Sequence, residues 1–312
     1  MNPAQRAGRD FTRLARLTIW IGIALAGLIL AGAAIAMVSR GDHRPERMAV
    51  RQGSEGESSG VRSKALPAWR RFAVAVGPTS TRPMIAVVID DMGIDRRRSA
   101  RAIALRSPLT LAFLPYATDL AAQAAAARAA GHELLVHIPM EPMGTADPGP
   151  GALTTQLSQA EIRARLVADL SRFEGFVGVN NHMGSRATGD LRVMLPVIDE
   201  LKTRGLLFLD SRTAPDSLAA DLARAAGVAF AVRDIFLDND ASAEAVRQQL
   251  SALETVARRQ GYAVAIGHPH DGTLNALAPW LDAIENRGFA LVPLSAIVRF
   301  RQDREAGPRA RG

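Results

Sequence analysis

The 312-residue chain contains no cysteine. That rules out disulfides, thiolate zinc sites and cysteine nucleophiles, and it says nothing about compartment. No internal repeat is visible in the sequence. A basic face is missing as well. Thirteen Lys+Arg stand against five Asp+Glu before residue 84, and five against two after residue 298. The body between them holds twenty against twenty-four, so the net charge of +7 belongs to the ends. Arg96, Arg97 and Arg98 are the one basic run in the body, and a solvated helix start accounts for them. Nucleic-acid binding needs clustered basic residues on the folded domain, so nucleic acid is not an expected partner.

Charge is also absent from residues 17–38, a 22-residue apolar run. Such a run crosses the ~30 Å hydrocarbon layer as one helix. Arg6, Arg9, Arg13 and Arg16 precede it, in the basic segment 1–16. Positive charge stays cytoplasmic, so the expectation is a single-pass inner-membrane anchor with the C-terminal body in the periplasm. The other reading is a cleaved signal peptide, with Ala34-Ile35-Ala36 as the cleavage site. A span of this length exceeds the usual signal core, which favours the anchor. Residues 39–82 are rich in Gly, Ser, Pro, Arg and Glu and read as a flexible linker. Residues 299–312 read as a polar tail.

Residues 83–298 alternate strand and helix patterns. Short apolar runs at 84–90, 109–114, 133–137, 176–179, 206–209, 228–232, 262–266 and 289–293 predict strands buried on both faces. Helical patterns fall between them at 99–105, 120–130, 159–172, 191–203, 218–226, 241–259 and 274–286. Ser158 followed by Glu161 is a capping box for the third of these. This alternation implies an α/β fold with parallel strands and right-handed crossovers, and its seven or eight units suit a barrel better than an open sheet.

The ionisable residues gather where these strands end. Asp90 and Asp91 follow the first, His137 and Glu141 the third, and Asn180-Asn181-His182 the fourth. Asp210 follows the fifth, Asp234 and Asp238 the sixth, and His268 and His270 the seventh. In parallel α/β folds the carboxyl ends of the strands form one rim, where sites are built. His132 precedes its strand and is set apart from this group. Asp and His suit zinc or a similar divalent ion. Of two adjacent carboxylates, one can ligate the ion while the other takes a proton from water.

Together VVIDDMG (87–93), GHELLVHIPMEP (131–142), GVNNHMGSR (178–186), FLDSRT (208–213) and AIGHPH (265–270) resemble the divergent polysaccharide deacetylase family. Its relatives are the NodB-type carbohydrate esterases. The resemblance implies a distorted (β/α)7 barrel and a metal-dependent hydrolase of C–N amide bonds in N-acetylated envelope polysaccharide. It implies Asp90 as catalytic base, Asp91 and His137 as metal ligands, and His268 as general acid, with His270 as its understudy. The relatives place a second His four residues after the first, where this chain has Glu141, so His182 is the expected replacement ligand. The Arg-Pro-Tyr motif of the relatives is replaced by Asn180-Asn181-His182-Met183, which leaves Asn181 and Arg186 as candidates for its functions.

The alternative is a non-catalytic envelope module that keeps the barrel to bind a glycan or a protein. The altered motifs favour it, and the retained Asp pair and histidines oppose it. Plainer roles stand beside each residue. Asp90-Asp91 can cap a helix, Glu141 can be a loop residue, and His182 can be a buried hydrogen-bonded His. Asp210 can pair with Arg212, and Asp238 falls in an LDND stretch where turns favour Asp.

Overall fold

The computed structural model describes residues 66–77 and 81–307. The expected cytoplasmic segment, the anchor at 17–38 and most of the linker lie outside the described residues. Among the described residues no helix is long and apolar enough to cross a membrane.

A short helix α1 (Ala68–Arg71) leads into β1 (Met84–Met92), whose nine residues are buried almost throughout. Then follow α2 (Arg96–Ile103), β2 (Thr110–Phe113), α3 (Leu120–Ala129) and β3 (Glu133–Met140). The middle of the chain gives α4 (Gln159–Leu170), β4 (Gly178–Met183), α5 (Leu191–Arg204), β5 (Leu207–Asp210) and α6 (Ala219–Ala226). The last third gives β6 (Phe230–Val232), β7 (Ile235–Phe236), α7 (Ala243–Gln260), β8 (Tyr262–Gly267), α8 (Asp271–Ala283), β9 (Ala290–Leu291) and α9 (Leu294–Ala306). The capping box at α4 is formed: Ser158 accepts from the Glu161 N–H, and Glu161 accepts from the Ser158 N–H.

All strand pairings are parallel, in the order β6-β5-β4-β3-β2-β1-β8-β7, with β9 beside β1. The sheet is curled into a half-barrel. Its two ends, β6 and β7, lie on one short stretch of chain and do not pair with each other. Arg233 N–H still reaches the Asp210 carbonyl on one edge, and Asp234 N–H reaches the Val264 carbonyl on the other.

Side chains alternate along a strand, and in-register parallel neighbours share a face. Ile85, Val87 and Ile89 therefore pack outward against the helices in the larger core. Met84, Ala86, Val88, Leu135, Leu207, Leu209, Val264 and Ile266 face inward and form a second core. Trp69 of α1 and Leu294, Ile297 and Val298 of α9 close that inner core. Space inside is tight enough that a Cβ on Gly178 would stand 2.1 Å from the Leu207 carbonyl oxygen.

Helix α1 and its buried Trp69 fall inside the segment read as a flexible linker, and three further features depart from the sequence reading. Strands β1, β3 and β4 run past their apolar segments, because the β3–β4 ladder continues to Met140 and Met183. Asp91 and Asn180–His182 are therefore in strands rather than after them, and Asp90 and His137 lie inside their strands rather than at the last residue. Strand β7 is two residues long and carries no periodicity to read. Helix α9 extends to Ala306, across much of the segment read as a tail, and its first turn is buried.

Candidate active site

The inner face explains the site. Two residues beyond the apolar layer, the same alternation brings Asp90, His137, Asn180, His182, Ser211 and His268 inward at the carboxyl ends of the strands. Asp91 has the opposite parity and would face the helices. The β1–β2 register shifts between Ile89 and Met92, and Asp91 takes a left-handed φ of 53°. That local irregularity turns its carboxylate into the site.

Three atoms then converge. His182 Nδ1 lies 2.9 Å and His137 Nε2 lies 3.3 Å from Asp91 Oδ1, and the two ring nitrogens are 3.2 Å apart. Despite those distances, Asp91 Oδ1 is buried and receives no well-directed hydrogen bond. Neighbouring donors in a tetrahedral shell of ~2.0–2.1 Å bonds stand about 3.3 Å apart. The spacing, the orphaned oxygen and the Asp-His-His donor set all fit a divalent cation, with these three residues as its holders.

Asn180 ties this group to the second carboxylate. Its Nδ2 donates to Asp90 Oδ1 at 2.9 Å and lies 3.3 Å from Ser211 Oγ. Its Oδ1 must then accept from His137 Nδ1, also at 2.9 Å. That bond fixes the His137 tautomer with the Nε2 lone pair aimed at Asp91. Asp90 is buried, and burial raises its pKa, against the pull of His137 and His268. Burial likewise opposes charge on Asp91, but His137 and His182 outweigh it and hold the carboxyl well below its usual range.

His268 approaches the second oxygen of Asp91, with Nε2 3.9 Å from Asp91 Oδ2. Its Nδ1 lies 3.0 Å from Asp238 Oδ1, and Asp238 Oδ2 accepts from the His268 N–H and Thr273 Oγ1. Burial disfavours the imidazolium, yet Asp238, Asp90 and Asp91 together push its pKa up to about 9. The sequence reading left Asp238 as a turn residue. The signal for it was weak, since only the fold carries an LDND carboxylate to the end of β8.

The remaining candidates lie elsewhere or do other work. Glu141 Oε2 accepts from Thr155 N–H and Oγ1, and Oε1 lies 3.3 Å from Arg186 Nε, so both residues brace a loop. Asn181 has the opposite parity to Asn180 and cross-links Ser211 N–H to the Met183 carbonyl. Asp210 accepts from the backbone N–H of Arg212 and from Ser217 Oγ, and makes no ion pair with the Arg212 guanidinium. His270 is exposed at the start of α8, its ring 5.7 Å from that of His268. It joins Asp238 and His268 in a second group of donor atoms. His132 is buried at the opposite end, accepting from Leu109 N–H and facing the Ile103 carbonyl. Asp90-Asp91 cap no helix, since Asp95 caps α2.

Residues 87–298 match the family described as divergent polysaccharide deacetylase. Over 193 residues the chain is 35% identical to an uncharacterized protein of Haemophilus influenzae, covering 62% of this chain and 69% of that one. It is 34% identical over 193 residues to the uncharacterized protein YibQ of Escherichia coli K12, covering 62% of this chain and 60% of YibQ, less than two thirds of that relative. The crystal structure of an uncharacterized protein of Agrobacterium tumefaciens C58 superposes with a TM-score of 0.73 at 28% identity, over 75% of this chain and 96% of that one. The matched span contains every residue of the cluster from Asp90 to His268, and the chain belongs to the divergent polysaccharide deacetylase family.

Proposed function

We propose that this protein is a metal-dependent hydrolase that removes acetyl groups from an N-acetylated envelope polysaccharide. The observation that carries the reading is the meeting of Asp91, His137 and His182 around an unbonded Asp91 oxygen, with Asp90 next to His137 and His268 next to Asp91. Asp91, His137 and His182 would hold the cation, zinc or a similar divalent ion. When bound there it supplies Lewis-acid polarisation of an acyl oxygen and acidifies water.

The chain's own groups divide the proton transfers. Asp90 takes a proton from the water whose oxygen bonds to the acetyl carbon. Burial makes Asp90 a better base than a surface carboxylate, and the Asn180 amide keeps it aimed. The C–N bond then breaks, and His268 Nε2 gives its proton to the leaving amine. With a pKa of about 9, His268 carries that proton at neutral pH. Asp238 holds the ring in place from the far side. Acetate and a free amino sugar are the products.

The family supports the substrate class. The apolar run 17–38 behind its arginines supports an inner-membrane anchor with this domain in the periplasm, beside such a polymer. The test is acetate release from a panel of N-acetylated envelope glycans by the parent chain and by Asp90→Asn. The parent should release acetate, and Asp90→Asn should be slower by about 10²–10⁴-fold. A parent that holds metal yet releases no acetate from any glycan would contradict hydrolysis and leave the binding module standing.

A further inference from the structure

The seam between β6 and β7 holds two cations that the proposed reaction does not use. Arg212, Thr213, Ala214, Pro215, Arg233 and Asp234 line a cavity of about 320 Å³ there. Most arginines near the rim are neutralised: Arg98 and Arg101 by Asp271, and Arg186 by Glu141. Arg212 and Arg233 are not. No carboxylate stands within ion-pair distance of either guanidinium among the described residues. Asp234 itself accepts from Gln260 Nε2 and Val264 N–H, and Asp210 from Arg212 N–H and Ser217 Oγ.

The pair is also built rather than loose. Arg233 Nε and Nη2 donate to the Ser211 and Arg212 carbonyls at 2.7 and 2.9 Å, and its guanidinium stacks 5.0 Å over the Phe236 ring. Those bonds use Nε and one hydrogen of Nη2, so Nη1 and the second Nη2 hydrogen have no partner among the described residues. Arg212 holds a left-handed φ of 49°, fixed by its N–H on Asp210 Oδ1. Burial and the neighbouring Arg212 both work against the charge on Arg233, a tension that a bound anion relieves. The body of the chain, 84–298, is net acidic, so this pocket stands against the general trend.

Its place ties it to the site. Ser211, whose carbonyl anchors Arg233, faces the Asn180 amide that also binds Asp90. Phe236, under the same guanidinium, meets the His268 ring edge-on at 5.4 Å. One residue, Phe236, thus separates the cavity's Arg233 from His268, and two, Ser211 and Asn180, separate it from Asp90.

We propose that this cavity is a subsite for an anionic group, carboxylate or phosphate, on the glycan, so that the substrate is an acidic N-acetylated polysaccharide. Guanidinium forks match such oxyanions in pairs of hydrogen bonds. The proposal rests on the hydrolase reading above and narrows its substrate.

The test is calorimetric binding to the full, zinc-loaded chain. One probe is a neutral N-acetylglucosamine tetramer. The second is a tetramer alternating N-acetylglucosamine with glucuronate, and the third is N-acetylglucosamine 6-phosphate. The acidic tetramer should bind about tenfold or more tighter than the neutral one, with the gap closing at high salt. Arg212→Gln, an exposed position, should remove that preference while leaving metal content unchanged. Arg233→Lys should weaken it, since the charge stays and the fork is lost. The phosphate probe, compared with unmodified N-acetylglucosamine, decides which anion the pocket favours. Equal binding of the two tetramers, or a preference that survives Arg212→Gln, would overturn the subsite and leave the hydrolase reading intact. Failure of both tetramers to bind a metal-loaded chain would sink both.

Discussion

Asn180 joins the two halves of the site through one amide, holding His137 with its oxygen and Asp90 with its nitrogen. Asn180→Ala leaves His137 free to turn and should weaken zinc binding by about 10–100-fold, read by competition with a chelating dye. Asp238 plays the matching part for His268. Because His268 is raised from 6.5 to about 9 in the fold, catalysis that needs its proton should fall on the alkaline side near pH 9. Asp238→Asn removes the main partner that raises it, so that limb of the kcat/KM profile should move to lower pH. The sign for stability is the same. Protonated His268 contributes fully below about pH 6.5, and that contribution is lost as pH rises through about 9. The His268-dependent difference in stability between parent and Asp238→Asn should therefore shrink at high pH. Of these residues, Asp90, Asp91, His137, His182 and His268 were legible as ionisable groups at strand ends. Asn180 and Asp238 were placed on the same rim, but their bonds to His137, Asp90 and His268 were not legible, because an amide at a strand end and an Asp in a turn each have ordinary explanations. Asp91 was legible as a residue, but its re-aiming by a positive φ was not.

At the scale of the element, the inner face is layered. Glu133 and Thr110 lie at the amino end, apolar residues in the middle, and the site at the carboxyl end. Gly178 sits in the middle layer, opposite Leu207. Gly178→Ala forces β4 from β5 and should cost about 1–3 kcal/mol or more in urea unfolding. At the amino end, buried Glu133 Oε1 accepts from Ser295 N–H at 2.9 Å, and Oε2 accepts from Ser295 Oγ. It thereby fastens the start of α9 under the half-barrel. Glu133→Ala orphans both donors and should destabilise the chain by about 1–3 kcal/mol. The eight strands foreseen are all present in order, since burial on both faces writes a continuous apolar run. Their ends were misjudged where the run turned polar while the ladder continued. Helix α9 escaped notice because its buried first turn, Leu294–Val298, continues directly from the apolar β9 region.

At the scale of the molecule, the parallel order brings positions 90, 91, 137, 182, 238 and 268 to one rim, although they span more than half the chain. Strand and helix alternation made that convergence legible before any contact was known. The half-barrel's open seam was not legible. Its two ends lie within residues 230–236, where the sequence reading saw one strand, 228–232, and no second. The seam is where the unneutralised arginines stand, so the feature hardest to read from sequence is the one that narrows the substrate. The central claim is that Asp91, His137 and His182 hold one divalent ion. Elemental mass spectrometry of the purified full chain after zinc incubation and desalting tests it most directly, with His137→Ala beside the parent. About one metal per parent chain and almost none in the variant is the expected result. A parent without metal, or a His137→Ala chain that keeps it, would contradict the site.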